Sequence, residues 1–274
     1  LAELQELHDK GWSMANHTWM HNPLAKRILS PTIAGTTITV TTDDAPDRPV
    51  GSLFDIAEAS HVNLYGQWAI TSKTAGTVTF SVNQTFADMG AASFARLYGM
   101  TDQQVIDEYV NRNREYLLAN GLPHGSDLVV YPNGIGPHFI AKALAANGCR
   151  FARSTRMALQ YSSTASAWGS NAKISGWHVY DGWFDPYDAP IMWLDGAGDA
   201  GAWDTAAEFL ALFDICLNTG GGWIQPYGHA FTADASSNYD PTQAALIFAG
   251  IRERELMGLC EVVGLSEACD RFAL

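Results

Sequence analysis

The sequence predicts an α/β fold in which a small all-β segment interrupts an alternation of strands and helices. Three observations lead to this expectation: the chain opens with helical periodicity, short β-branched runs fill residues 30–85, and strand-like and helix-like segments alternate after residue 100. Alternation of this kind is typical of a parallel sheet or barrel covered by helices. We expect residues 29–93 to be a β-rich insertion in a domain made of residues 1–28 and 94–274.

The opening segment predicts an amphipathic helix. Its leucines recur at helical spacing, acidic residues lie on the other side, and Gly11 is the expected end. In the insertion, the runs TTITVTT, GQWAITS and GTVTFSV alternate as strands do and are separated by Gly, Pro and Asp turns. The run TDQQVIDEYVNRNREYLLANG then predicts a second helix, with Thr101 as its N-cap and Gly121 as its stop.

The rest of the chain carries the alternation on which the α/β class depends. Strands are predicted in SDLVVYP, CRFARST and GGWIQPYGHAF. Helices are predicted in PHFIAKALAANG, WDTAAEFLALFDICLNTG and PTQAALIFAGIRERELMG.

The composition describes a folded and acidic protein. Of its 274 residues, 47% are hydrophobic and only 16% are charged, which excludes intrinsic disorder. The 16 basic and 29 acidic side chains give a net charge of −13, which argues against nucleic acid and anionic membrane surfaces as partners. No apolar run approaches the ~20 residues that span a bilayer, so membrane insertion is not expected. The first residues, LAELQELHDKGW, are not expected to be a signal peptide.

The four cysteines do not indicate a zinc–thiolate site, because none are spaced as Cys-x-x-Cys. Cys149 and Cys216 lie in apolar segments and are expected in the core. Cys260 and Cys269 flank a short stretch near the end of the sequence and would be able to pair in an oxidising compartment. The sequence leaves that pairing open.

The strongest local signal is the run from His17 to His21, His-Thr-Trp-Met-His. Two imidazoles four residues apart project from the same side of a helical turn and are able to share one divalent metal. The alternative is a pair of surface or capping histidines. The run follows a helix, a glycine and WSMAN, where a strand is expected to end. Ligands in α/β folds gather at the carboxyl ends of strands, which favours the metal site.

Two further segments end predicted strands. The run Tyr131-Pro132-Asn133-Gly134 closes the apolar strand LVV, either as ordinary turn chemistry or as a source of backbone N–H groups for an oxyanion. His229 ends the run GGWIQPYGHAF, where a lone histidine is more often structural. The convergence of three strand ends favours a functional site.

Taken together, these segments resemble the polysaccharide deacetylases, the family-four carbohydrate esterases. LQELHDKGWSMANHTWMHNPL is similar to the second motif of the family, in which a leucine-rich helix and a glycine precede a strand ending in His-Ser/Thr-x-x-His. LVVYPNGIGPHFIAKALAANGCRFARST resembles the third motif and its sequel, and GGWIQPYGHAF resembles the final strand. The resemblance covers about residues 1–28 and 94–274.

The resemblance implies a distorted (β/α) barrel with a metal at its carboxyl rim. His17 and His21 would hold a divalent ion, most often zinc, with an aspartate as the third protein ligand. The metal would polarise an acetyl carbonyl and activate a water. Tyr131 would stabilise the oxyanion through its backbone N–H, and His229 would act as the general acid.

The substrate implied by the resemblance is an acetylated polysaccharide, and the products are acetate and a de-acetylated sugar. Pro132, Asn133 and Trp183 are the expected substrate contacts. The nine tryptophans suit a sugar site, since aromatic faces stack on pyranose rings.

The first motif of the family, Thr-Phe-Asp-Asp-Gly, is not found before the opening helix, although it supplies the general base and the metal-binding aspartate. Asp43 and Asp44 match it superficially, but they follow the histidine motif, and turn chemistry explains them. Asp181 and Asp185 are weaker candidates. We expect the sequence to be a fragment whose upstream part carries the aspartates, with a permuted or inactive site as the alternatives.

The insertion resembles small β modules of bacteriophage tail proteins, in which a Val-Thr-Val-Thr strand precedes an Asn-x-x-Gly-x-Trp strand; an arbitrary β insertion is the alternative. The resulting hypothesis is an extracellular or virion-associated enzyme that removes acetyl groups from a bacterial surface glycan. It would be a homo-oligomer, trimeric if it is a tail protein. The other hypotheses are an inactive carbohydrate-binding barrel and a structural tail domain.

Overall fold

The computed structural model divides into two compact units, Leu1–Ala152 and Arg153–Leu274. The structure describes residues 1–42, 49–58, 64–85, 94–96, 99–134, 136–154, 186–187, 189, 192–193, 205–218, 223–228 and 240–271.

The first unit contains a closed barrel of six antiparallel strands. They are β1 (Ala25–Ala34), β2 (Thr37–Thr42), β3 (Leu53–Glu58), β4 (Gly66–Lys73), β5 (Thr77–Ser81) and β6 (Phe94–Arg96). Their order around the barrel is β1-β2-β5-β4-β3-β6, and β1 pairs with both β2 and β6 to close it. The runs TTITVTT, GQWAITS and GTVTFSV form β2, β4 and β5.

Alternating side chains build the core of this barrel. Ile38 and Val40 of β2, like Val78 and Phe80 of β5, are fully buried, while the threonines between them are half-buried or exposed. This pattern follows because successive side chains of a strand point to opposite faces of the sheet. The rings of Phe54 and Phe80 stack with centroids 5.5 Å apart. Each large apolar side chain that is fully buried contributes about 1.5–3 kcal/mol to stability. The buried side chains named above therefore give the barrel a hydrophobic core of its own.

Helices and short strands complete the first unit. They are α1 (Ala2–Asp9), α2 (Asp102–Val105), a π-helical segment (Ile106–Asn111), α3 (Arg112–Ala119), β7 (Leu128–Val130), α4 (His138–Ala146) and β8 (Phe151–Arg153), whose last residue belongs to the second unit. Thr101 caps α2 with a reciprocal pair of bonds: its hydroxyl accepts from the Gln104 N–H at 3.2 Å, and its own N–H donates to the Gln104 side chain at 2.8 Å. β7 and β8 are paired neighbours.

The second unit is mainly helical where the structure describes it. Its elements are β9 (Met192–Trp193), α5 (Ala206–Asn218), β10 (Pro226–Tyr227), α6 (Pro241–Leu256) and α7 (Leu265–Arg271). β9 and β10 pair in parallel. Buried residues of α5 and α6, among them Phe209 and Ile247, form one apolar cluster. Among the helices described in either unit, none has both the length and the apolarity that a membrane crossing requires.

The predicted distorted (β/α) barrel is wrong. In the described ranges the large sheet is the antiparallel barrel, whose strands run from Ala25 to Arg96, and the other two sheets have two strands each. Strands joined by short turns pair with their neighbours in sequence, as β1 does with β2 and β4 with β5. A strand–helix alternation predicts a parallel sheet only where each crossover returns the chain to that sheet. α5 and α6 instead pack against each other.

A charged cluster lies where β3 and β6 meet. The guanidinium of Arg96 lies 3.9 Å from the Asp55 carboxylate, 3.3 Å from that of Asp102, and 5.2 Å from the ring centroid of Phe139. Burial raises the pKa of the Asp55 carboxyl and Asp102 raises it further, while Arg96 and a hydrogen bond from Gln67 lower it. The net direction is upward, so the folded state disfavours the charged carboxylate, and stability falls as pH rises through the pKa of Asp55.

We predict that Arg96→Met destabilises the protein by about 2 kcal/mol at pH 7, because it leaves the Asp55 carboxylate buried without its cation. The loss should shrink at a lower pH, where Asp55 is protonated, and the double variant Arg96→Met, Asp55→Asn should recover much of it. Urea unfolding of the three proteins at both pH values measures this. An equal loss at both pH values, without recovery in the double variant, would contradict the account.

Candidate functional site

The segment before the histidine run lies alongside β7. The Asn16 N–H donates to the Leu128 carbonyl, and the Val130 N–H donates to the Asn16 carbonyl, both at 2.8 Å. The two segments run parallel at this bridge. Gly125 permits the approach: its φ is +92°, and a Cβ there would lie 2.8 Å from the Met14 nitrogen. The chain therefore delivers the residue after Asn16, which is His17, to the carboxyl end of β7.

The histidine run has a strained backbone. Thr18, Met20 and His21 have φ values of 62°, 61° and 57°, and they are the non-glycine residues with positive φ in the described part of the chain. Such conformations cost free energy and cluster at functional sites. Hydrogen bonds within the loop hold this shape: the Thr18 hydroxyl donates to the Asn22 carbonyl at 2.7 Å, and the Asn22 side chain donates to the Trp19 carbonyl at 2.8 Å.

The predicted helical turn between the two histidines is therefore wrong. A short 3-10 turn, Trp19–His21, replaces it and contains left-handed residues. The two rings are nevertheless adjacent, with centroids 4.7 Å apart and planes at 78°. A compact strained loop thus achieves the proximity that the sequence pattern attributed to a helix.

One imidazole is fixed in orientation. The Nδ1 of His17 lies 2.8 Å from the Val130 carbonyl oxygen. Because a carbonyl only accepts, Nδ1 carries the proton and Nε2 keeps its lone pair. This is the arrangement in which metal-binding histidines are usually held. Both His17 and His21 are exposed, so their rings are accessible from solvent.

The donor set fits a divalent metal in part. Two imidazole nitrogens suit zinc, which takes three or four protein ligands in its usual sites. In the described part of the chain, no group of three or more His, Cys, Asp or Glu side chains is close enough to hold a metal. The aspartates considered as third ligands, Asp43, Asp44, Asp181 and Asp185, all lie outside the described residues.

The turn after β7 lies next to the histidines. The Val130 carbonyl that fixes His17 belongs to the residue before Tyr131. The Gly134 N–H donates to the Tyr131 carbonyl at 3.0 Å and closes the turn Pro132–Gly134, which contains Asn133. Tyr131 and Pro132 are buried. His229 and Trp183, the other predicted site residues, lie outside the described residues.

Asn16 is a site residue that the sequence reasoning missed. Its side chain is fully buried, and its amide nitrogen donates to the Val110 carbonyl at 2.7 Å. Its amide oxygen accepts from the Thr18 N–H and from the Asn113 side chain, both at 2.8 Å. Val110 lies in the π-helical segment, a rare geometry that often occurs at functional sites. The only signal in the sequence is a polar residue directly before the first histidine.

An aromatic group flanks the loop on the side of α3. The guanidinium of Arg112 lies 4.6 Å from the Trp19 ring centroid, and Tyr116 meets Trp19 edge-on at 6.0 Å. These contacts fix the indole of Trp19, which lies between His17 and His21 in the sequence. They add a second anchor for the loop, because Arg112 and Tyr116 both lie on α3.

We predict that Asn16→Ala destabilises the protein by about 2 kcal/mol, because it removes the buried hydrogen bonds of the Asn16 side chain to the Thr18 N–H, the Val110 carbonyl and the Asn113 side chain. Thermal and urea unfolding measure the loss. The matched control is Asn120→Ala, which removes an exposed side chain bonded to the Tyr116 carbonyl and should cost less than about 0.5 kcal/mol. Equal effects of the two substitutions would contradict the role of Asn16.

We predict that Gly136→Ala destabilises the protein by about 1–3 kcal/mol through overpacking. A Cβ at this position would lie 2.4 Å from Cε2 of the buried Tyr131 ring. Gly76→Ala is the control, since nothing lies within 4 Å of a Cβ there. Urea unfolding compares the two variants, and a Gly136→Ala protein as stable as Gly76→Ala would show that the Tyr131 ring is not packed as described.

Sequence comparison gives no further guide to this site. No protein-family model matches the chain, and no curated protein matches it significantly. The resemblance to polysaccharide deacetylases therefore stays a prediction.

Proposed function

We propose that this protein is a metal-dependent hydrolase that removes acetyl groups, linked through nitrogen or oxygen, from a polysaccharide. The observation that carries the proposal is the pair of adjacent imidazoles, His17 and His21, with the Nδ1 of His17 fixed by the Val130 carbonyl. The proposal depends on this local geometry and on the order of the motifs. It does not depend on the (β/α) barrel, which the structure contradicts.

The proposed metal is a divalent ion, with zinc favoured by the nitrogen ligands. His17 and His21 would bind it, and a carboxylate outside the described residues would complete the protein ligands. When bound, such an ion supplies electrostatic polarisation of an acetyl carbonyl and a lowered pKa for a water molecule.

The residues of the chain would divide the remaining work. The Val130 carbonyl holds the His17 ring in one tautomer, and Asn16 holds the loop that carries both rings. In the proposal, the Tyr131 backbone N–H helps to stabilise the oxyanion, and His229 donates a proton to the departing amine or alkoxide. Acetate and the de-acetylated sugar are then the products.

The proposed substrate contact in the turn after β7 is Asn133, with Trp183 as an aromatic platform. Pro132 is buried, so it would shape the turn rather than touch the substrate. We further propose a bacterial surface glycan as the substrate and an extracellular or virion-associated location for a homo-oligomer, trimeric if the chain belongs to a phage tail. The net charge of −13 supports neither nucleic acid nor an anionic membrane as a partner.

A second candidate is a catalytically inactive carbohydrate-binding protein. Such a protein would bind acetylated glycan without releasing acetate, and a structural tail domain would do neither.

We predict that the purified chain, supplied with zinc, releases acetate from N- or O-acetylated oligosaccharides. His17→Ala and His21→Ala should each reduce acetate release on the order of 100-fold and lower the bound zinc, because each removes a ligand. His124→Ala is the control, since this histidine precedes β7 and its ring contacts His8.

Acetate production and zinc content are both measured, by an enzymatic assay and by elemental analysis. Full acetate release after exhaustive chelation would overturn the mechanism. Retained glycan binding without any acetate release would support the inactive carbohydrate-binding protein instead.

A further inference from the structure

The second unit contains a partly enclosed cavity of about 660 Å³. α5, α6, α7 and the segment 223–226 surround it, and all of these elements belong to one unit. Its volume lies within the range of about 300–1,000 Å³ that is usual for small-molecule sites. Neither His17 nor His21 lines it, so a ligand bound here would be distinct from the substrate of the proposed hydrolase.

The wall of the cavity is mainly apolar. Three aromatic rings, Phe213, Trp223 and Phe248, line it together with aliphatic side chains such as Ile251 and Leu265. Phe213 is buried in the apolar cluster of α5 and α6, so this part of the cavity wall belongs to the packed core of the unit. Aromatic and aliphatic walls of this kind are typical of pockets that bind drug-sized molecules.

The charged groups on the wall pair with other protein groups. Arg252 donates to the carboxylate of Glu255, which also accepts from the Val262 N–H at 3.3 Å. Arg271 donates to Glu261 at 2.8 Å and to Glu267 at 2.6 Å. A charged ligand would have to displace one of these partners, which removes most of the gain from a new ion pair.

Polyhydroxylated ligands are also disfavoured. Among the described residues of the wall, the other polar side chains are those of Gln225, Trp223 and Cys260. Burying a hydroxyl group without a hydrogen bond costs free energy, so the mainly apolar wall formed by the described residues disfavours the many hydroxyls of a sugar. The wall therefore selects for a ligand with few polar atoms.

We propose that this cavity is a binding site for an uncharged, predominantly apolar small molecule. The mouth is formed in part by Phe248, whose side chain is 52% exposed on α6. Cys260 provides an internal reporter, because its half-buried thiol belongs to the same wall.

The test uses the whole chain and the fluorescent probe N-phenyl-1-naphthylamine, which is uncharged and emits strongly in apolar surroundings. Titration should show saturable binding at one site per chain, and bound probe should slow the reaction of Cys260 with N-ethylmaleimide, read by peptide mass spectrometry. The anionic analogue 8-anilino-1-naphthalenesulfonate, which adds a sulfonate to the same rings, should bind about 10-fold more weakly or worse.

Two substitutions on one helix locate the site. Phe248→Asp places a carboxylate at the mouth and should weaken binding of the uncharged probe by about 10-fold or more. Leu246→Asp is the matched control: Leu246 is also 52% exposed on α6 but does not line the cavity, so affinity should stay within about 2-fold.

Several results would overturn the proposal. They are the absence of saturable binding, equal effects of the two aspartate substitutions, unprotected Cys260, and tighter binding of the sulfonated analogue. Probe binding that follows a concentration-dependent mass in light scattering and is lost in Leu246→Asp would assign the apolar surface to contact between copies of the chain instead.

Discussion

The candidate site depends on one buried amide. The side chain of Asn16 joins the strained loop to the π-helical segment through Thr18 and Val110, while its backbone joins the same loop to β7. A buried amide with all of these partners has few alternative arrangements, because each displaced group would lose a hydrogen bond in a place that excludes water. Together with the hydrogen bonds among Thr18, Trp19 and Asn22, these bonds hold the positive φ values of the loop.

The consequence for chemistry is that one of the two adjacent rings, that of His17, is prearranged. Since Asn16 fixes the chain directly before His17, and Val130 fixes the His17 ring itself, the ring is oriented before any ligand arrives. Prearrangement of this kind reduces the free energy that binding has to supply for ordering side chains. The Trp19 indole lies against Arg112 and gives the loop a further contact with α3. The contacts that hold the strained backbone of the loop thus also help to hold the His17 ring in one orientation.

Local signals in the sequence predicted elements better than they predicted the architecture. The alternation in TTITVTT and GTVTFSV specifies strands because the outward threonines and inward apolar residues depend only on neighbouring positions. The barrel closes because β1 pairs not only with its neighbour β2 but also with β6, which lies far along the chain. The alternation of side chains along a strand does not encode which distant strand it pairs with. The (β/α) barrel was predicted for residues 1–28 and 94–274, but the described strands after β6 form two sheets of two strands each and not one closed parallel sheet.

The histidine site shows the same limit. The spacing of His17 and His21 in the sequence indicated the site. Nothing in the sequence indicated the left-handed backbone of Thr18 and Met20, because residues of these types ordinarily avoid that conformation. These conformations are held by the hydrogen bonds among Thr18, Trp19 and Asn22 and by the bond from the Thr18 N–H to Asn16, whose burial no local pattern shows. The most direct test of the account is anomalous diffraction at the zinc edge from crystals grown with zinc. The account predicts a peak between the Nε2 of His17 and the His21 ring, with a carboxylate oxygen as third ligand; zinc bound elsewhere, or no peak, would contradict it.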